Sequence, residues 1–150
     1  MIERVGGEAM KLQQISDSEM YNLFEELIIM KRRQRMIEER LFQSMARPVQ
    51  RKWMHERVQD QYKHERMIQE IASMYLHEEI KIDQIENNAM PSHSVMQELG
   101  NRLEGVASNI QLMAHISQPI DDFRLYKMIS SMMSDEYIYQ TRLVKLLTEK

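Results

Sequence analysis

Three prolines in 150 residues, Pro48, Pro91 and Pro119, constrain this chain more than any other feature. Proline lacks an amide proton and clashes with the preceding turn, so a helix accepts it mainly in its first turn. Each proline therefore reads as a boundary, and three boundaries make four helices. The chain holds 15 Met but only 4 Gly, a balance that favours long helices over turns and strands. The first helix is expected to start at Ser16-Asp17-Ser18, whose short polar side chains can cap free amides, and to run to about Arg47. The second begins near Pro48 and extends to the Glu86-Asn87-Asn88 stretch. The third opens after Pro91, where Ser94 and Gln97 have the spacing of a capping box, and continues to about Ser117. The fourth runs from Ile120 to the C-terminus. Helices of roughly 25 to 40 residues in a chain this short imply lengthwise packing. The expected fold is all-α, an antiparallel four-helix bundle forming one domain over residues 16–150. Residues 1–9 fit no periodic pattern and Met10 offers an alternative start, so the segment 1–15 is expected to be disordered.

Composition narrows the function classes. A formal net charge of −3, with acidic and basic residues interspersed, gives no global attraction to nucleic acid or anionic lipid. The absence of cysteine removes disulfides, thiolate metal sites and thiol catalysis, leaving carboxylate and imidazole as the strong metal ligands. No apolar run approaches the roughly 18 to 20 residues that cross a bilayer, and the N-terminus lacks a hydrophobic signal core, so a cytoplasmic protein is expected. No Gly-rich phosphate loop, nucleophile elbow or Ser-His-Asp ordering occurs.

The informative signal is what interrupts the apolar faces. At helical spacing the first helix presents Met20, Phe24, Leu27, Lys31, Gln34, Glu38, Leu41 and Met45, apolar at both ends and polar in the middle. The second repeats this with Met54, Val58, Gln61, Glu65, Ile68, Ala72 and Tyr75, with His64 on the same side. In the fourth, Glu136 stands in register within Tyr126, Ile129, Met133, Gln140, Leu143 and Leu147. The third is more uniformly apolar, with Met96, Leu99, Leu103, Val106, Ile110 and Met113, and Glu104 lies on its flank. A carboxylate buried without a partner costs several kcal/mol, so charges recurring at core spacing need each other, a metal, or water.

This pattern resembles the ferritin-like superfamily, especially its rubrerythrin-type branch, over most of residues 17–149. In that superfamily two helices each give a Glu and two give Glu-x-x-His to a pair of metal ions. Gln61-Tyr-Lys-His64 looks like the Glu-x-x-His segment with Gln in place of Glu, and Glu136-Tyr-Ile-Tyr139 like the same segment with Tyr in place of His. Glu104 matches the lone Glu of the third helix. The first-helix ligand falls near Arg35, with Glu38 one turn on as the alternative. The resemblance thus implies a ferritin-like bundle with a crossover between helices two and three and a degenerate di-iron site. Glu38, His64, Glu104 and Glu136 are its vestigial or weak metal ligands, and Gln61 and Tyr139 stand at lost positions. Losing this many ligands should weaken metal binding strongly. A second possibility is that Arg35 or Lys31 projects inward and supplies the positive charge that metals would give, pairing with Glu104 and Glu136.

Other features have blander readings. The histidines His55, His77, His93 and His115 form no HxxxH pair and are expected at the surface or in packing. The run Lys31-Arg32-Arg33-Gln34-Arg35 is spread around the helix and flanked by glutamates, which suits a solvated, salt-bridged segment better than a nucleic-acid site. Most methionines read as core filler, and Trp53 as an anchor at the bundle end. Three functions remain open: a structural or interaction protein, expected as a homodimer with no assigned cofactor; a metal-binding protein or oxidoreductase with an atypical iron or manganese site; or an unrelated helical bundle that binds a regulatory partner.

Overall fold

The structure, a computed structural model, describes residues 15–85 and 94–149. They form four helices and, among the described residues, no strand: α1 (Asp17–Ser44), α2 (Pro48–Leu76), α3 (Val95–Ser117) and α4 (Phe123–Thr148). The expected N-terminal segment lies outside the described residues except for its last position, Ile15.

Local chemistry fixes the ends. The Ser16 side chain accepts from the Glu19 amide at 3.1 Å, and Asp17 and Glu19 place negative charge on the exposed amides of the first turn. Pro48 occupies the first turn of α2. The capping box of α3 is present as the spacing predicts: Ser94 Oγ accepts from the Gln97 amide at 3.3 Å, and Gln97 Oε1 accepts from the Ser94 amide at 3.2 Å.

Three boundaries differ from those expected. The first helix stops at Ser44 rather than Arg47, because Met45 turns to an extended backbone and buries its side chain. The second stops at Leu76, ten residues short of Glu86. His77 takes a left-handed conformation (φ 57°) and donates its amide to the Ser73 carbonyl, which ends the helix without a glycine. The chain beyond is pinned down instead of helical: Ile80 is buried, its carbonyl accepts from Gln69, and the Lys81 amide donates to the Tyr21 hydroxyl. Glu86-Asn87-Asn88, Pro91 and His93 lie outside the described residues. The fourth helix begins at Phe123, capped by Asp122, whose carboxylate accepts from the Arg124 and Leu125 amides. Ile120 is therefore not helical and fills the core.

The helices pack as a four-helix bundle. α1 lies against α2 and α3, and α4 against α3 and α2, so α1 and α4 occupy one diagonal and α2 and α3 the other. Two apolar clusters fill the two ends. One joins Met20, Phe24, Leu27 and Ile28 of α1 to Ile68, Ile71 and Ala72 of α2, Met113 and Ile116 of α3, and Leu125, Ile129 and Met132 of α4. The other joins Leu41 and Met45 to Met54, Leu99, Val106, Tyr139, Leu143 and Leu146. Burying a side chain of this size contributes about 1.5–3 kcal/mol, so the two clusters are the source of cohesion. Between them lies a layer that is not apolar.

Candidate functional site: a buried ionic layer

Every helix sends polar groups inward at mid-height. Lys31, Gln34 and Glu38 follow one another along α1 between Leu27 and Leu41, and Arg57, Gln61 and His64 along α2 between Met54 and Ile68. α3 contributes Asn109 between Val106 and Met113, and α4 contributes Glu136 between Met132 and Tyr139. All eight are buried, and Lys31, Gln61, His64, Asn109 and Glu136 have no exposed surface at all (0 %).

Glu136 is the hub. Its Oε1 accepts from Asn109 Nδ2 at 2.6 Å, from Arg57 Nη2 at 3.0 Å and from Lys31 Nζ at 3.2 Å, while Oε2 accepts from Arg57 Nη1. Arg57 also bridges to a second carboxylate, its Nε donating to Glu38 Oε2 at 2.9 Å. The remaining Glu38 oxygen accepts from Gln61 Nε2 at 2.7 Å. Gln34 ties the layer to α3: its Oε1 accepts from Asn109 at 2.6 Å, and its Nε2 donates to the Gly105 carbonyl at 3.2 Å. A Cβ on Gly105 would stand 2.9 Å from that Gln34 nitrogen, so glycine is what permits this approach. The Arg57 guanidinium also lies over the Tyr139 ring, 3.9 Å from its centroid. Two cations, Lys31 and Arg57, thus face two anions, Glu38 and Glu136, with no net charge.

His64 closes one side. Its Nδ1 lies 2.9 Å from Lys31 Nζ and its Nε2 lies 2.8 Å from Asp135 Oδ2. An ammonium only donates and a carboxylate only accepts, so the ring must be neutral, with its proton on Nε2. The electrostatics agree: burial, reinforced by Lys31, brings the His64 pKa down to about 4 despite Asp135. Burial also brings Lys31 down to about 8, against the opposing pull of Glu136. For Glu136, burial alone would raise the pKa, but Arg57 and Lys31 together outweigh it and hold the carboxyl well below the usual carboxylate range. Burial opposes the charge on Arg57 as well, yet Glu38 and Glu136 prevail and raise its pKa. Burial drives the Tyr139 phenol well above its ordinary value, with Glu38 adding to the shift.

The structure brings together Glu38, Gln61, His64, Glu136 and Tyr139 of the residues singled out from the sequence, and it selects Lys31 as the inward cation. Glu104 does not join them; it is exposed on the outer side of α3. Arg35 does not either: its guanidinium lies over the Tyr62 ring, 4.2 Å from the centroid, beside Glu39 on the surface of α1 and α2. The run from Lys31 to Arg35 therefore divides, with Lys31 and Gln34 inside and Arg32 paired to Glu65 outside. Glu65, expected inward, is thereby placed at the flank. Sequence reasoning missed Arg57 and Asn109. The signal existed in both cases, since Arg57 is three residues after Met54 and four before Gln61, and Asn109 is three after Val106 and four before Met113.

As arranged, these residues do not fit a pair of divalent metal ions. All four oxygens of Glu38 and Glu136 already accept from Arg57, Lys31, Gln61 or Asn109. Both nitrogens of His64 are engaged, one of them by a cation. Among the described residues no group of three or more His, Asp or Glu is disposed to hold a metal ion. Also among the described residues, no helix is long and apolar enough to cross a membrane. Compared with known protein families, with curated proteins and with solved structures, the chain matches none.

Proposed function

We propose that this chain is a ferritin-like bundle in which an internal salt-bridged layer stands where that superfamily holds metal ions, and that its role is structural or interactive rather than catalytic. The observation that carries this reading is Glu136: a fully buried carboxylate whose two oxygens are satisfied by Arg57, Lys31 and Asn109. The cationic side chains neutralise Glu38 and Glu136 as bound metals would, and the layer is almost wholly closed to solvent.

The topology supports the resemblance. Lys31 meets His64 and Glu38 meets Arg57, which suits antiparallel α1 and α2. Met74 meets Arg124 and Glu56 meets Arg142, which suits antiparallel α2 and α4. α2 and α3 both enter from the Leu41–Leu143 cluster and end in the Phe24–Ile129 cluster, so they run parallel on one diagonal. A parallel α2 and α3 are what a crossover between them, as the resemblance implies, would join.

Metal analysis tests the proposal. Protein purified from medium supplemented with iron and manganese is expected to carry far less than one ion per chain, and EDTA is expected to leave its unfolding midpoint unchanged. Two ions per chain, removed by chelation together with stability, would overturn it.

A further inference from the structure

The four grooves between neighbouring helices differ in charge. Over the α1/α2 groove Arg32 pairs with Glu65, and over the α2/α4 groove Arg142 pairs with Glu56 and Lys63 with Asp135. The α1/α3 groove is lined by Glu25, Glu26, Arg33 and Arg102. Among the described residues, no ion pair spans the α3/α4 groove. From α3 it receives Met96, Gly100, Ala107 and Ala114, and from α4 Tyr126, Met133, Tyr137 and Val144, all wholly or partly exposed and none charged. Of the large hydrophobic side chains most exposed among the described residues, Phe123 (75 %), Ile138 (54 %) and Tyr137 (52 %) belong to the outer surface of α4. In a chain that is 29 % charged, an apolar face of this extent needs cover.

Gly100 adds an independent sign. It lies inside α3, where glycine weakens a helix. A Cβ built there would meet nothing within 4 Å among the described residues. That space leaves room for another molecule to approach the helix backbone closely.

We propose that the outer face of α3 and α4 is the surface on which a second copy of this chain docks, α4 against α4 about a twofold axis near Ser134. Three arguments favour a second copy. The groove between α3 and α4 is lined by uncharged side chains, with charge confined to its margins at Glu104, Lys127 and Lys145, so its complement must be apolar along the groove, and the same face of another copy meets that condition in an isologous contact. From Phe123 to Val144 the α4 surface is roughly 32 Å long, and two helices side by side are about 20 Å wide. That footprint, about 640 Å², falls at the lower end of the roughly 600–1,000 Å² per partner that standard-size specific interfaces bury. An antiparallel pairing centred on Ser134 also sets Lys127 opposite Thr141 and Lys145 opposite Phe123, so no lysine meets a lysine and one cation meets a ring. The inference uses only the outer face and stands apart from the reading of the ionic layer.

Sedimentation equilibrium of the full chain tests it. The wild type is expected to be a dimer at about 1 to 100 µM. Tyr137→Lys and Gly100→Arg should each raise the dimer dissociation constant at least tenfold, while helical circular dichroism and cooperative melting persist. Gly100→Arg is the sharper variant, because within one protomer the new side chain enters open space and replaces a poor helix former. Arg66→Glu, on the charged α2 surface, should leave the dimer intact. A wild type that is monomeric throughout this range, whatever else then covers the face, overturns the proposal. So does a dimer that survives both Tyr137→Lys and Gly100→Arg.

Discussion

The apolar ends of the bundle and its ionic middle are built by the same four helices, yet they hold together in different ways. In the two clusters each side chain contributes its own buried area, so the loss of one leaves its neighbours content apart from a cavity. In the layer each group is tolerable only because another is present. Lys31 and Arg57 are buried cations that Glu38 and Glu136 neutralise, and removing one member leaves the others charged and dry. The ends supply stability, and the middle makes that stability conditional on a single arrangement.

The largest effect should come from breaking the hub. Glu136→Ala strands Lys31 and Arg57 together and is expected to cost about 3–5 kcal/mol in urea unfolding. A loss under about 1 kcal/mol would mean that the cations escape to solvent. Acid should act on the same groups. His64 is neutral in the fold, with its pKa lowered to about 4 from an ordinary 6.5. Between those values the unfolded chain binds the extra proton, so stability falls as pH drops through this window, by about 3 kcal/mol in total. Below it, protonation of Glu136, whose pKa is also lowered, removes more. Thermal melts between pH 7 and pH 4 should show the decline, and His64→Gln should flatten its upper part. At the apolar end, Leu143→Ala is expected to cost about 2–4 kcal/mol with no added pH dependence. The smallest effect belongs to Glu104→Ala, which lies outside the layer and should change stability by no more than about 0.5 kcal/mol.

The ends of the bundle were easier to read in the sequence than its middle, for a physical reason. Apolar residues at helical spacing have one stable destination, so Phe24, Leu27 and Leu41 announce the core face of α1, and the polar interruption between them marks the layer. Charged residues have two destinations, and spacing alone separates them only if the face is known to within one residue. On α4 the face was set one position away: the structure buries Leu125, Met132, Tyr139 and Leu146, not Tyr126, Met133, Gln140 and Leu147. Glu136 survived that shift because it lies near the centre of either stripe. On α2 the same ambiguity favoured Glu65 over Arg57, since a lone arginine beside apolar residues reads as a surface group until its two carboxylate partners, 19 and 79 residues away, are brought to it. The end of α2 at His77 was hard to read for another reason: histidine is enriched in the left-handed region only relative to other side chains, and a single His gives far weaker local notice of a helix end than Gly does.

The central claim is that the layer is held by its own opposed charges, and a double-mutant cycle on Arg57 and Glu136 measures this most directly. With Arg57→Met and Glu136→Leu, each single change should be strongly destabilising. The double variant should be more stable than the sum of the two losses implies, with a coupling of at least about 2 kcal/mol. Losses that simply add would contradict the account, because they would mean that the two groups do not depend on one another.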